Sequence, residues 1–159
     1  MRRHDREVTD IAEIAGIVKR CQVCRLAMVD QGAPYLVPLN FGYTLDMTAR
    51  RLELAFHGAQ EGRKIDILRR LPRVCFEMDI PHGLIVHQEA SRFSFHYESV
   101  IGTGDIVFAE ERSEKTRLLG LLLEHMTGTR DWPLPDAAID RTCIFSLVST
   151  DFTAKRRAP

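Results

Sequence analysis

Apolar and polar positions along the chain fall into two periods. Ile11, Ile14, Ala15 and Val18 recur at helical spacing behind Thr9 and Asp10, and Glu13 stands three residues after Asp10 as in a capping box. A first helix over residues 10–20 is expected. Residues 24–29 form an apolar run ending at the turn-formers Asp30, Gln31 and Gly32, and residues 35–43 read as a second strand. Pro38 removes a ladder donor from it, which suggests an edge or a bulge. After a connection over 45–51, Leu52, Leu54 and Phe56 alternate with Glu53, Ala55 and His57 in a third strand that breaks at Gly58. A helix over 61–71 follows, with Ile65 and Leu68 on one face, and residues 74–78 form a fourth strand. Residues 79–90 look irregular. Residues 93–109 read as one long strand or a bent pair, with Gly102 and Gly104 marking a bend or a close backbone approach. Ser113 is expected to cap a helix reaching 127, whose leucines (118, 119, 121, 122, 123) are denser than a one-sided stripe requires. Trp132, Pro133 and Pro135 form a stiff loop, and residues 143–148 the last strand. About six strands joined mainly by hairpins, with helices at the ends, predict an α+β antiparallel barrel rather than a doubly wound sheet.

Composition changes this picture little. A chain of 159 residues that is 45% hydrophobic and 28% charged suits one globular domain. The 22 Lys and Arg cancel the 22 Asp and Glu, so no overall field recruits nucleic acid or an anionic membrane. The start, MRRHDREVTD, leads into no long apolar run, and the most apolar stretch, 118–123, is far too short to cross a bilayer. A cytoplasmic location is expected. Of the four cysteines, Cys21 and Cys24 make one CxxC, which closes a helix instead of opening one, and no second pair completes a zinc set. All four are expected to be reduced and mostly buried, and no metal is expected.

Chemistry is suggested at two places. The first is the strand-to-helix junction around Gly58 and Gly62. There the free N–H groups of a helix start, with Arg63 and Lys64, would suit a phosphate; a glycine-bent connection with a solvated basic face explains the same residues. The second is VPLNFGY, residues 37–43, whose Pro, Asn and Gly among large apolar residues could present backbone groups to a flat ligand such as a flavin, or could equally be a bulged edge strand. Signatures of serine hydrolases, zinc proteases, EF-hands and dinucleotide-binding loops are absent. His82 and His87 read as solvated loop residues and His125 as a packing residue.

Six stretches in order carry a resemblance: MRRHDREVTD, CQVCRLAMVDQGAPYLVPLNFGY, LELAFHGAQEGRKID, RVCFEMD, HYESVIGTGDI and FTAKR. Together they resemble the 5-nitroimidazole reductase (NimA-like) branch of the pyridoxamine 5′-phosphate oxidase-related flavoproteins. The resemblance implies a Greek-key split β-barrel that dimerises and holds FMN at the interface. It places Val37, Pro38, Leu39, Asn40, Phe41 and Tyr43 along the flavin ring, and His57, Gly58, Ala59 and Lys64 at the ribityl and phosphate. Ser99 would lie near the ring from a neighbouring strand. Two positions depart from relatives: Ser91, where cysteine is common, and Ala154-Lys155, where Gly-Lys is common.

The expected activity is FMN-dependent reduction of a flat, electron-poor acceptor, with NADH or NADPH as donor. Arg63 and Lys64 would neutralise phosphate, Asn40 would bond the ring, and His57 would bind the ribityl or phosphate or else donate a proton. Tyr97 and Glu98 either line the acceptor pocket or are merely exposed. Trp132 either reaches the flavin of a partner or plugs its own barrel end. The alternatives are a pyridoxamine 5′-phosphate oxidase-like enzyme and a flavin-binding sensor without catalysis.

Overall fold

The computed structural model describes residues 3–157, and its organising feature is one antiparallel sheet of eight strands. In chain order the elements are β1 (Glu7–Val8), α1 (Ile11–Arg20), β2 (Cys24–Asp30), β3 (Ala33–Leu39), β4 (Gly42–Asp46), β5 (Arg51–Gly58), α2 (Arg63–Arg70), β6 (Arg73–Ile85), β7 (Ser94–Phe108), α3 (Arg112–Thr127), α4 (Asp136–Asp140) and β8 (Cys143–Arg157). The strands run β3-β2-β6-β7-β8-β5-β4, with β1 added to β8. The two outermost strands, β3 and β4, are consecutive in the chain and are joined through Asn40 and Phe41 alone. That short link holds the sheet's ends together, so the sheet curls into a barrel split between them. Phe41, Phe56, Phe76 and Phe145 are among the fully buried side chains at its centre. The expected α+β antiparallel split barrel with peripheral helices is what the chain forms.

Three boundaries differ from the sequence pattern. Residues 35–43 are two strands, because the chain passes at Asn40-Phe41 from one edge to the other; Pro34 and Pro38 lie on β3, an edge that needs fewer N–H donors. Residues 79–85, expected to be irregular, continue β6. Here β7 supplies the ladder from Asp79↔Ser99 to Ile85↔Ser94, and a register shift between Pro81 and Gly83 absorbs the missing donor. The last strand runs on to Arg157: Ser149 interrupts the alternation but donates from Oγ to the Thr103 carbonyl (2.6 Å), after which Phe152 and Ala154 turn inward again. Ala154-Lys155 therefore lies within the last strand. The close approach expected at Gly102 is present, since a Cβ there would fall 2.6 Å from the Asp151 carbonyl oxygen.

The helices close the barrel's ends and flanks. Asp10 caps α1 by accepting from the Ala12 N–H (2.8 Å), but Glu13 accepts from Arg156 (2.5 Å) instead of completing a capping box. Ser113 falls inside α3 and does not cap it; the N-cap position is Glu111. The leucine density of α3 is used on more than one side, with Leu118, Leu121 and Leu122 buried and Leu119 packed beside them.

Glu98, expected to be exposed or pocket-lining, is buried at 5% exposure. It receives Arg20 (2.5 Å), Arg156 (2.6 Å) and His82 (3.0 Å), tying α1, β6, β7 and β8 together. Burial alone would raise its pKa, but these three hydrogen bonds outweigh it and hold the carboxyl down to about 2. A depressed carboxyl stabilises the fold above its ordinary pKa of 4.5, and that contribution is lost as pH falls toward 2. Glu98→Gln should therefore cost about 3 kcal/mol at pH 7 and almost nothing near pH 2. Urea titrations of both proteins across that range check it; an equal deficit at both pH values would contradict the ion-pair account.

Candidate functional site

The junction from β5 to α2 forms because β5 ends at Gly58 and Gly62 takes a left-handed φ of 126° as the N-cap of α2, a conformation that favours glycine. The chain thereby doubles back, and Lys64 folds over the end of β5. A Cβ at position 58 would stand 3.0 Å from Lys64 Nζ, so the ammonium packs directly over the Gly58 backbone. The same Nζ lies 5.8 Å from the centre of the Phe145 ring. Desolvation lowers the Lys64 pKa, and nearby Cys143 opposes that weakly. Among the described residues Lys64 has no carboxylate partner. His57 borders it, its pKa lowered by desolvation and then by the Lys64 charge. A half-buried cation without a counter-ion beside a helix start is an incomplete arrangement, and an anion completes it.

Arg63 is engaged differently. Its Nε donates to Asp30 (2.9 Å) and its guanidinium stacks 4.2 Å from the Tyr35 ring, away from Lys64. Of the two cations expected at the junction, Lys64 alone lies over Gly58 here. A cavity of about 280 Å³ adjoins the junction, lined by Gln60, Glu61, Arg69, Phe108, Lys115 and Cys143 among others.

The VPLNFGY stretch serves several ends. Val37 and Leu39 turn toward the core while Pro38 faces out. Phe41 is fully buried and Asn40 Nδ2 donates to the Gln22 carbonyl (3.1 Å), so neither side chain is free for a ring in this arrangement. Tyr43 is half-buried and packs edge-on to His125, their centroids 5.0 Å apart. Both His125 nitrogens face carbonyls, Phe41 (2.7 Å) and Lys19 (3.1 Å), which makes it the packing residue the sequence suggested. Gly42 is explained by packing: a Cβ there would meet backbone atoms of Leu121 and Leu122 at 2.2–2.6 Å.

Ser99 lies elsewhere. With Tyr97, Ile101, Thr153 and Lys155 it lines a cavity of about 390 Å³ on the outer face of β7 and β8. Trp132 is 52% exposed, its Nε1 donating to Thr127 Oγ1 (2.9 Å), so it does not plug its own barrel. Ala59 is exposed in the turn after Gly58.

The cysteines divide three to one: Cys21, Cys24 and Cys143 are buried, whereas Cys75 is exposed on the outward side of β6. Burial pushes the Cys21 thiol up to about 12 and the Cys24 thiol higher still, which suppresses thiolate at neutral pH. Replacing both with serine should leave flavin reduction unchanged; a large loss of rate in a still-folded variant would show that the pair works in redox chemistry. Among the described residues no three His, Cys, Asp or Glu side chains group as a metal site, and no helix is long and apolar enough to cross a membrane.

Comparison with known proteins adds the following. Residues 10–156 match the family model described as pyridoxamine 5′-phosphate oxidase. No curated protein matches the chain. Among solved structures, the chain is similar to a candidate 5-nitroimidazole antibiotic resistance protein from Bacteroides thetaiotaomicron, with 28% identity, a TM-score of 0.79, and coverage of 94% of this chain and 85% of that one. It is also similar in fold to the flavocytochrome Anf3 of Azotobacter vinelandii, at 20% identity and a TM-score of 0.83, over 100% of this chain and 72% of that one. An FAD and heme binding protein of Mycobacterium smegmatis shares the fold at 18% identity and a TM-score of 0.82, over 97% of this chain and 74% of that one.

Proposed function

The chain belongs to the pyridoxamine 5′-phosphate oxidase family, and from that premise we propose that it binds FMN and reduces flat, electron-poor acceptors of the nitroimidazole kind. The observation that carries the reading is Lys64, a half-buried ammonium lying over Gly58 with no counter-ion among the described residues. Its fit to a terminal phosphate is good: one charge, a helix start, and a glycine that keeps the approach open. The likeness to the Bacteroides resistance protein supports the acceptor class.

FMN, when bound, supplies the two-electron chemistry between a reduced nicotinamide and the acceptor. The protein's own part is to bind and orient. Lys64 holds the phosphate. His57 is kept neutral near pH 7 by its lowered pKa and so is suited to hydrogen-bonding a ribityl or phosphate oxygen rather than to giving up a proton. Ser99 meets the ring. The functional unit is a homodimer in the cytoplasm. Exposed Trp132, with Phe93, Phe95, Leu84 and Val86 on and beyond the β6–β7 hairpin, offers the apolar surface for that contact. Adding NADH or NADPH anaerobically to the FMN-loaded protein should bleach its visible absorbance, and a nitroimidazole should restore it. Yellow protein that neither donor bleaches would leave a flavin binder and overturn the reductase.

A further inference from the structure

Helix α2 spans eight residues, too few to be stable by itself. Ile65, Ile67 and Leu68 bury its inner face, but apolar burial is non-directional and fixes the helix's rotation and slide only weakly. The directional contacts come from the β2–β3 hairpin. Asp30, at the end of β2, accepts from Arg63 Nε through Oδ2 (2.9 Å) and from Arg70 through Oδ1 (3.0 Å). These arginines are the first and last residues of α2. Seven positions apart, they stand on one face of the helix, two turns or about 10 Å from each other. One carboxylate therefore holds both ends of the helix. The Asp30 side chain is 14% exposed and each arginine 58%, so the carboxylate is the covered partner. Tyr35, on β3, adds the face of its ring to the Arg63 guanidinium.

Lys64 follows Arg63 by one residue and is turned about 100° around the helix axis from it. With Arg63 and Arg70 tied to the hairpin, Lys64 is the residue that reaches the end of β5 and lies over Gly58. Among the described residues no carboxylate holds the ammonium there, so its place is set by the placement of α2. Resting on the flavin reading above, we propose that Asp30 is a positioning residue: by clamping both ends of α2 to the β2–β3 hairpin, it sets Lys64 over Gly58 for the ligand's phosphate without touching that phosphate itself. The proposal has a sign that charge alone does not give. Deleting a carboxylate near an anion site relieves repulsion and favours the anion. Deleting Asp30 instead weakens phosphate binding, because the cation loses its place.

The test uses Asp30→Asn, which keeps the side chain's shape and removes its charge; far-UV circular dichroism and melting confirm that the variant is folded. The first readout is titration with FMN and with riboflavin, which carries the same ring without a phosphate. Asp30→Asn should bind FMN about three- to tenfold more weakly, as part of a charge-assisted contact is lost, and riboflavin within about twofold of the unaltered chain. Asp30→Glu, which retains a carboxylate, should recover most of the FMN loss. With Lys64→Ala already present, Asp30→Asn should change FMN affinity by less than about twofold, since both substitutions act on one contact. The second readout needs no flavin. The Lys64 charge helps to lower the pKa of His57. Loss of the Asp30 charge would by itself lower that pKa further. A rise in Asp30→Asn, read from the imidazole protons by NMR and assigned with His57→Gln, therefore reports that Lys64 has withdrawn, and a rise is expected. FMN binding that is unchanged or tighter in Asp30→Asn would overturn the proposal, tighter binding meaning that Asp30 competes with the ligand for Arg63. An equal loss of FMN and riboflavin, or a His57 pKa that is unchanged or lower, would overturn it as well. If the unaltered chain bound no FMN, the flavin reading would fall, and the His57 titration alone would decide whether Asp30 places Lys64.

Discussion

Gly42→Ala is expected to cost about 3 kcal/mol or more, at the upper end of what overpacking a core does. A new Cβ at this position meets the Leu122 N at 2.2 Å and the Leu121 carbonyl carbon at 2.3 Å, and backbone atoms cannot rotate away as a side-chain end can. Relief requires α3 to move off β4, which would open the second core cluster of Ala55, Leu118, Leu121, Ile139 and Ile144. In a chain of this length such a loss lowers the melting temperature by roughly 10 °C. Differential scanning calorimetry measures it. A change under about 1 kcal/mol would mean that the glycine is there for a ligand and not for the helix.

Lys64→Ala should weaken FMN binding by a factor of about ten to one hundred, since a charge-assisted hydrogen bond to phosphate contributes about 1.5–3 kcal/mol. Stability should change little, because the free protein gains nothing from a desolvated cation with no ion-pair partner among the described residues. The pH dependence has a definite sign. Desolvation lowers the Lys64 pKa in the free chain, and a bound phosphate raises it, so affinity falls as pH rises through the lowered value. The substituted protein should lose that slope. Unchanged affinity would remove Lys64 from the phosphate site.

Legibility in the sequence followed how local each signal was. Strands β2 and β5 and helices α1 and α2 were readable because their own periodicity and bounding turn residues define them. The second half of β6 was not: Pro81, His82 and Gly83 look like a loop, and only the ladder supplied by β7 makes them strand. β8 was cut short at Ser149 for the same reason, and with the cut went the alternation that places Thr153 and Lys155 beside Ser99. Of the β5–α2 junction, Gly58 and Lys64 were legible from composition at a helix start. Arg63 looked equivalent to Lys64 by sequence but is engaged by Asp30 and Tyr35, 33 and 28 residues away, which no spacing rule brings near. Gly42 was ambiguous because a glycine needed for helix approach and a glycine needed for ligand approach look the same until α3 is in place. Glu98 was misread because its inward direction depends on the register of β7 against β8.

FMN is the ligand proposed for the Lys64 junction and the Ser99 face. The most direct test of this proposal is equilibrium titration of flavin-free protein with FMN, followed by flavin fluorescence, with light scattering on the product. The expected result is saturation at one FMN per chain with a dissociation constant of about 1 µM or tighter, near −8 kcal/mol, in a particle of twice the 18.2 kDa chain mass. No saturable binding, or tight binding by a stable monomer, would contradict the account.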